Sequence, residues 1–158
     1  MEQTAPIIES DSDANAVRIT RRFAAPPERV FDAWIEPEAL KEWFGPGEVT
    51  TPIAETDPRP GGHYALEMRS PAGSIYRIEG EYLTVERPDR LVFTWFWKQG
   101  DTGLLADHEM LVTIELQPAD GGTELTLTHE GLPGANAVED HGRGWTGALD
   151  NLQEVLSR

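Results

Sequence analysis

The sequence predicts an α+β domain, in which one long C-terminal helix packs along a curved antiparallel sheet of about six to seven strands. Between Asn136 and Leu156, apolar residues recur at intervals of three, four and seven, which is the spacing of one helical face. From Glu48 to Glu130, apolar and polar residues alternate instead, and turns rich in glycine and proline separate the alternating segments. Short turns imply antiparallel pairing, and the apolar helical face needs a sheet to cover it.

The first 14 residues differ in composition from the rest of the chain. Residues 1–14 carry several acidic residues, no basic residue and little apolar content. A segment of this kind cannot bury enough apolar surface to offset the entropy lost on ordering. We therefore expect a flexible acidic tail over residues 1–14, followed by a single domain over residues 15–158.

The domain is predicted to begin with one strand and two short helices. Val17–Phe23 alternates between apolar and polar residues, as a strand with one buried face does. Pro27 and Glu28 then favour a helix start, because proline fits the first turn and a carboxylate is stabilised at the positive end of the helix dipole. This helix extends through Ile35. Pro37 begins the second helix, which the glycines and proline of residues 45–47 end.

Six further strands are predicted between the second helix and the last one. The pattern has period two, although the first run is irregular and is weakened by Pro52. Turns such as Pro58–Gly62, Pro71–Gly73 and Gln117–Gly122 separate neighbouring runs. A polar, glycine-containing loop is expected over residues 98–107. The predicted strands are Val49–Asp57, His63–Arg69, Ile75–Glu86, Leu91–Trp97, Glu109–Leu116 and Thr123–Glu130.

The long helix has two further features. Asn136 is followed three residues later by Glu139, which predicts a capping box with asparagine as the N-cap. Gly142, Gly144 and Gly147 each destabilise a helix interior by roughly 1 kcal/mol relative to alanine. Three such residues in its N-terminal half indicate either close packing of the helix on its neighbours or a bendable entrance to a pocket.

The charge of the chain argues against nucleic acid as a partner. The net charge is −15, from 28 acidic and 13 basic residues, and such a field repels phosphate backbones and anionic lipid surfaces. Arg18, Arg21 and Arg22 form the one basic cluster. Because they alternate with apolar residues, we interpret them as part of an exposed strand face.

Membrane insertion and export are not expected. No apolar run approaches the roughly 20 residues that a membrane-spanning helix needs. Residues 1–16 lack the basic and apolar regions of a secretory signal, so a cytoplasmic location is expected. The absence of cysteine excludes disulfides, thiol nucleophiles and thiolate metal sites.

Six segments, in this order along the chain, resemble motifs of a known family. They are Ala25–Trp34, Leu40–Pro46, Arg59–Tyr64, Gly80–Trp95, Gly121–His129 and His141–Trp145. Over residues 16–157 the chain resembles the START-like (SRPBCC) superfamily, whose helix-grip fold is shared with the birch-pollen allergen and polyketide cyclases. Its branch named after activators of the heat-shock protein 90 ATPase is the most similar. The resemblance implies a deep, mostly apolar cavity between the long helix and the sheet, which different members use for lipids, polyketides, hormones or protein partners.

Aromatic residues are more numerous on the predicted strands than the cover of one helix requires. Each of them could simply fill the core, but some could border a cavity, since pockets are typically apolar with a few polar groups. Methionine would let such a wall adapt to varied ligands. The candidate pocket residues are Trp34, Trp43, Phe44, Tyr64, Met68, Tyr76, Trp95, Trp97, Met110, His141, Trp145 and Leu149.

Neither the positions of the histidines nor the known catalytic sequence motifs indicate a reaction. His129 and His141 flank the entry to the long helix and could lie close together, but no close metal-ligand spacing occurs. A capping or hydrogen-bonding role for His141 is favoured over metal binding. Neither a Gly-x-Ser-x-Gly elbow nor a phosphate-binding glycine loop is present. We therefore expect no catalytic residue, no metal and no cofactor.

Three classes of function remain open, in order of preference. The first is binding of an apolar or aromatic, lipid-like small molecule in the cavity. The second is a protein-interaction or chaperone-ATPase-activator-like module, which requires an exposed apolar patch or an acidic face. The third is a cyclase- or aromatase-like enzyme, which requires a polar group of shifted pKa in the pocket, and its candidates are His63, Glu67, Glu79 and Tyr82. The chain is expected to be a monomer or a homodimer.

Overall fold

The computed structural model of the chain describes residues 7–11, 15–99 and 108–158, and these residues form eight strands and three helices. Helix α3 packs against a curved antiparallel sheet, which confirms the predicted α+β class. The strands are β1 (Ile7–Asp11), β2 (Ala16–Phe23), β3 (Thr50–Thr56), β4 (His63–Arg69), β5 (Ile75–Glu86), β6 (Arg90–Gln99), β7 (Met110–Ala119) and β8 (Gly122–Glu130). The helices are α1 (Pro27–Ile35), α2 (Pro37–Trp43) and α3 (Ala135–Leu156).

All neighbouring strands of the sheet pair antiparallel, in the order β1-β2-β8-β7-β6-β5-β4-β3. Strands β3 to β8 form a meander, because each of them pairs antiparallel with the next strand along the chain. Strand β2 pairs with β8, with Ile19 opposite Leu127, and so strands from the two ends of the chain lie side by side near one edge of the sheet. The two short helices α1 and α2 lie in the connection between β2 and β3.

Strand β1 is the one element of the sheet that the sequence did not predict. It lies within residues 1–14, for which a flexible tail is expected, and pairs antiparallel with β2, with Ile8 opposite Ile19. The rest of that segment lies outside the described residues. Ile7–Asp11 has two apolar residues followed by three polar ones and so lacks the alternation that identifies a strand, and it forms here beside the open edge of β2.

The inner face of the sheet and the apolar face of α3 form one core. Side chains of a strand alternate between the two faces, and the buried residues of β4 to β7 follow that alternation. Leu149 and Leu152 of α3 are fully buried against them. The inner face includes Tyr64, Leu66 and Met68 on β4, Ile78 and Tyr82 on β5, Leu91, Phe93 and Trp95 on β6, and Met110, Val112 and Ile114 on β7.

The segment that follows α2 is fixed between α2 and α3. The indole N–H of Trp43 donates to the carbonyl oxygen of Ala33 at 2.8 Å, which joins the two short helices. The side-chain amide of Asn151 on α3 donates to the carbonyl oxygens of Gly45 at 2.9 Å and Gly47 at 3.2 Å. Residues 44–47 therefore lie directly beside α3, where they form one wall of the cavity described below.

Two local predictions are wrong. Helix α3 begins at Ala135 with Gly134 as its N-cap, and no side chain makes a capping hydrogen bond. The predicted capping box at Asn136 is therefore not formed. Arg21 was assigned to an exposed face, but it lies on the inner face of β2 and is 4% exposed. Its guanidinium pairs with Asp150 of α3 at 2.8 Å, which satisfies a charge that burial would otherwise penalise.

Candidate functional site

A cavity of about 490 Å³ lies between the N-terminal half of α3, the segment after α2 and the inner face of β4 to β6. Its volume falls within the roughly 300–1,000 Å³ that is typical of small-molecule pockets. We call it the helix–sheet cavity. It is lined by Phe44, Gly45, Pro46, Met68, Tyr76, Trp95, Trp97, Asp140, His141, Gly144, Trp145 and Ala148.

Seven of the twelve candidate pocket residues line this cavity. Their rings contact one another: the ring centroids of Trp95 and Trp145 lie 5.3 Å apart, and those of Phe44 and Trp145 lie 5.9 Å apart in an edge-to-face arrangement. Such contacts between rings stabilise the walls of the cavity. The seven residues are Phe44, Met68, Tyr76, Trp95, Trp97, His141 and Trp145.

The other five candidates do not line the helix–sheet cavity. Trp43, Met110 and Leu149 are at most 2% exposed and belong to the core. Trp34 and Tyr64 border a separate void of about 20 Å³, which has room for about one water molecule.

The hydroxyl group of Tyr64 is engaged within the sheet. It donates to the carbonyl oxygen of Thr94 at 2.6 Å, beside Gly80. A Cβ atom on Gly80 would lie 2.1 Å from that same oxygen and 2.6 Å from the Tyr64 ring, so only glycine permits this close approach. Burial, with a smaller contribution from Tyr82, raises the pKa of Tyr64 and keeps the phenol neutral. Tyr64 therefore acts as a structural group rather than a wall of the cavity.

Five cavity residues were not among the candidates, and they are Gly45, Pro46, Asp140, Gly144 and Ala148. The sequence identified 45–47 only as the end of a helix. The cost of glycine in a helix interior is the signal that points to Gly144, because it indicates a pocket entrance in this half of α3. A Cβ atom on Gly144 would meet no heavy atom within 4 Å, whereas one on Gly147 would lie 2.9 Å from Cβ of Pro46. Gly144 therefore faces open space, and Gly147 permits close packing.

Two histidines and two tryptophans form a hydrogen-bonded group at the cavity. The ring centroids of His129 and His141 lie 5.0 Å apart, as the sequence suggested they could. The indole N–H of Trp97 donates to Nε2 of His141 at 3.1 Å, and Nδ1 of His141 bonds to the Ala137 carbonyl oxygen at 2.9 Å. The indole N–H of Trp145 donates to Nδ1 of His129 at 3.0 Å. Both nitrogens of His141 are therefore engaged, as expected for a hydrogen-bonding role.

Burial keeps both histidines uncharged near neutral pH. It lowers the pKa of His129 well below the usual 6.5, and the nearby His141 lowers it further. Burial also lowers the pKa of His141, although the bond to the Ala137 carbonyl and the charge of Asp140 act in the opposite direction. The desolvation of a charged ring is the physical cause in both cases.

Among the described residues that line the cavity, Asp140 is the one with a charged side chain, and it lies at the mouth. Asp140 is exposed and its carboxylate pairs with Arg143, one turn away on α3. Since this pair is solvated, it contributes little field inside the cavity. The lining is otherwise dominated by aromatic and apolar groups.

The four residues considered for catalysis lie outside this lining. His63, Glu67 and Glu79 belong to the outer face of the sheet, and Glu67 and Glu79 form ion pairs with Arg77 at 3.8 Å and 2.7 Å. Tyr82 is buried and borders the small void, and burial raises its pKa. Within residues 7–11, 15–99 and 108–158, no group of three or more His, Cys, Asp or Glu residues is placed to hold a metal ion.

A second concavity, of about 580 Å³, lies on the outer face of β3 to β6. We call it the outer groove. Five carboxylates border it, against the cationic side chains of Arg77 and Lys98 and the ring of His63, so its local charge matches the acidic character of the whole chain. The carboxylates are those of Glu55, Asp57, Glu79, Glu81 and Glu109.

Large exposed apolar surface is scarce over residues 15–98 and 108–158, where Leu83 is the one large apolar side chain with substantial exposure. In the same residues, none of the helices is long and apolar enough to cross a membrane.

Comparison with known proteins identifies one matching family and many solved structures with a similar fold. A family model described as Activator of Hsp90 ATPase homolog 1-like protein matches residues 24–157. A search of curated protein sequences finds no significant match. Because the matched range includes the two short helices, the meander and α3, the family pattern extends over every element that borders the helix–sheet cavity.

Solved structures from several bacteria share the fold over almost their whole length. A protein from Chromobacterium violaceum is 33% identical, with a TM-score of 0.83 over 91% of this chain and 98% of that chain. The AHSA1 protein of Silicibacter pomeroyi is 28% identical, with a TM-score of 0.79 over 90% and 97%. A protein from Nitrosomonas europaea is 27% identical, with a TM-score of 0.75 over 94% and 97%.

Proposed function

We propose that this chain, which belongs to the family of Activator of Hsp90 ATPase homolog 1-like proteins, binds an apolar or aromatic small molecule in the helix–sheet cavity. The observation that carries the proposal is the cavity of about 490 Å³ with aromatic walls. Protein interiors pack to the density of organic crystals and leave few voids larger than a water molecule. A space of this size between a helix and a sheet is therefore more than a packing defect.

The chemistry of the lining supports an apolar ligand. Phe44, Trp95, Trp97 and Trp145 present ring faces and edges, and Met68 adds a flexible thioether that can adapt to different shapes. Burial of an apolar ligand against such walls is favourable by roughly 25 cal/mol for each Å² removed from water. The polar atoms that line the wall at His141 are already hydrogen-bonded within the protein.

Titration with N-phenyl-1-naphthylamine, an uncharged probe that fluoresces in apolar surroundings, tests the proposal. We expect a saturable rise in fluorescence and a rise in melting temperature, because a ligand bound only to the native state stabilises it. Gly144→Leu places a side chain in the open space and should weaken binding at least about tenfold. Glu139→Leu, at an exposed position on the same helix, is the matched control and should bind the probe like the unmodified chain.

Two results would contradict the proposal. One is the absence of a saturable signal at any probe concentration within its solubility. The other is equal binding by the Gly144→Leu and unmodified chains, which would locate the probe elsewhere.

The outer groove favours a second candidate function, the docking of a Lys- or Arg-rich segment of a protein partner. Its carboxylates and the net charge of −15 complement such a segment and would steer its approach. A chaperone is one such partner, since the family description names an ATPase activator. Calorimetric titration with a Lys-Ala repeat peptide at low and high ionic strength tests this candidate. Replacing Glu79 and Glu81 by glutamine should weaken binding, whereas glutamine at Glu139 and Glu154 should not.

A further inference from the structure

Two ring N–H groups in and behind the wall of the helix–sheet cavity have no hydrogen-bond acceptor among the described residues. They are Nε1 of Trp95 and Nε2 of His129. Trp95 belongs to the cavity wall and is 4% exposed. His129 is fully buried directly behind that wall, and its ring centroid lies 5.0 Å from those of both Trp95 and His141.

The hydrogen bond from Trp145 determines which nitrogen of His129 carries the proton. An indole N–H can only donate, so Nδ1 of His129, which receives it at 3.0 Å, must offer a lone pair. In a neutral imidazole the proton then resides on Nε2. Burial favours the neutral ring, because a charged one would be desolvated without a counter-ion. His129 therefore presents a donor without an acceptor.

A buried donor without a partner destabilises the folded state, because it loses its hydrogen bonds to water and gains none within the protein. The side-chain nitrogen atoms without partners in the described core are Trp34 Nε1, Trp95 Nε1, His129 Nε2 and Arg21 Nε, and all of them are donors. Two of these four belong to adjacent rings, Trp95 and His129, whose centroids lie 5.0 Å apart, and Trp95 lines the helix–sheet cavity. An acceptor atom that reached these rings would offer a partner to their donors.

We propose that the ligand of the helix–sheet cavity carries an uncharged hydrogen-bond acceptor, such as a carbonyl oxygen on an aromatic skeleton, which receives bonds from Trp95 Nε1 and His129 Nε2. This inference rests on the proposed function and narrows its ligand class. Both nitrogens are covered by neighbouring rings in the unliganded protein. A ligand therefore reaches them only when the rings that cover them shift.

The charges around the cavity exclude ionic alternatives. No cationic side chain lines the cavity in the described residues, so a buried carboxylate would lack a counter-ion and would lie near Asp140. A buried ammonium group would face N–H donors, and the one carboxylate nearby is exposed and paired with Arg143. An uncharged acceptor is the remaining polar group that the wall can satisfy.

Four compounds of one skeleton test the inference: fluorene, 9-fluorenone, 9-fluorenecarboxylate and 9-aminofluorene. Displacement of N-phenyl-1-naphthylamine gives the Kd of each. Fluorene is the more apolar of the first two, so a purely apolar cavity would prefer it. We expect the opposite, with fluorenone bound about tenfold more tightly than fluorene, as expected for one or two new hydrogen bonds. The carboxylate and the amine should bind more weakly than both.

The ratio of the fluorene and fluorenone Kd values is the readout in variants, since it cancels general changes in cavity shape. Trp95→Phe keeps a ring and removes the N–H, and should bring the ratio to within about twofold of unity. Trp34→Phe removes an unpartnered N–H that does not line the cavity and should keep the ratio of the unmodified chain. A lowered carbonyl stretching frequency of bound fluorenone provides a measurement that needs no variant.

Each outcome bears on one of the two proposals. Equal or tighter binding of fluorene, or preference for the carboxylate or the amine, overturns the acceptor inference and leaves the binding function standing. An unchanged ratio in Trp95→Phe, with an unshifted carbonyl frequency, also overturns it. If none of the four compounds binds and the probe gives no saturable signal, the proposed function fails and the inference fails with it.

Discussion

Alanine at Gly144 and at Gly147 should have opposite effects on stability, although both positions lie in the interior of α3. Glycine in a helix interior is less stable than alanine by about 1 kcal/mol, because it loses more backbone entropy on folding. This gain is available at both positions. What differs between them is the space that the added methyl group enters.

The geometry sets the size of the difference. At Gly144 the methyl group meets no heavy atom within 4 Å, so the whole gain of about 1 kcal/mol should remain. For a domain of this length, that raises the melting temperature by roughly 2–4 °C. At Gly147 it would lie 2.9 Å from Cβ and 3.1 Å from Cα of Pro46, so α3 or the segment after α2 must shift. Overpacking of this kind costs about 1–3 kcal/mol, which cancels or exceeds the gain.

Urea denaturation followed by far-UV circular dichroism measures both variants against the unmodified chain. We expect Gly144→Ala to be stabilised and Gly147→Ala to be neutral or destabilised, with a difference of about 1–3 kcal/mol between them. Equal stabilisation of both variants would refute the packing argument for Gly147. Destabilisation of Gly144→Ala would show that position 144 does not face open space.

The same pair tests whether the glycines let the entrance bend. Alanine restricts the backbone, so a gating role predicts slower probe uptake in Gly144→Ala, measured by stopped-flow fluorescence. Raised stability with unchanged uptake would reject gating and leave Gly144 as a residue that keeps space open.

Two further predictions concern buried charge. Burial lowers the pKa of His129 and of His141 below 6.5, so at lower pH the unfolded chain binds more protons than the folded chain. The free energy of unfolding should therefore fall as the pH drops below about 6.5, by up to about 1.4 kcal/mol per pH unit for each histidine. Urea titrations at several pH values measure this slope, and an unchanged slope in His129→Gln would contradict the assignment. Asp150→Ala leaves the buried guanidinium of Arg21 without its carboxylate and should destabilise the protein by about 1–3 kcal/mol in urea denaturation. Glu38→Ala, which breaks an exposed pair, should cost less than about 0.5 kcal/mol, and equal costs would show that the burial of Arg21 is unimportant.

The order and type of most elements follow from the sequence alone. Period-two alternation predicted β2 to β8, helical spacing predicted α3, and Pro27 and Pro37 marked the starts of α1 and α2. These features are local, since they depend on which residues two, three or four apart share a face. The same local rules assign Trp95 and Trp97 to one face of β6, which the structure places toward the cavity.

Local rules could not determine what lies opposite each face. Trp43 and Trp95 are similar in type and burial, yet Trp43 is enclosed in the core with its N–H bonded to Ala33, and Trp95 borders open space. Arg21 has the alternation of an exposed residue, but α3 supplies Asp150 as its partner. Strand β1 depends on the open edge of β2.

The sequence by itself therefore determined most of the secondary structure, which aromatic residues share a strand face, and the family. Only the tertiary structure decided which rings enclose the helix–sheet cavity and which of their N–H groups lack an acceptor. The physical reason is that a cavity is the space left between elements distant along the chain. Its shape depends on how far α3 lies from residues 44–47 and from the sheet. The periodicity of a single element shows which of its residues share a face, but it does not show the distance to another element.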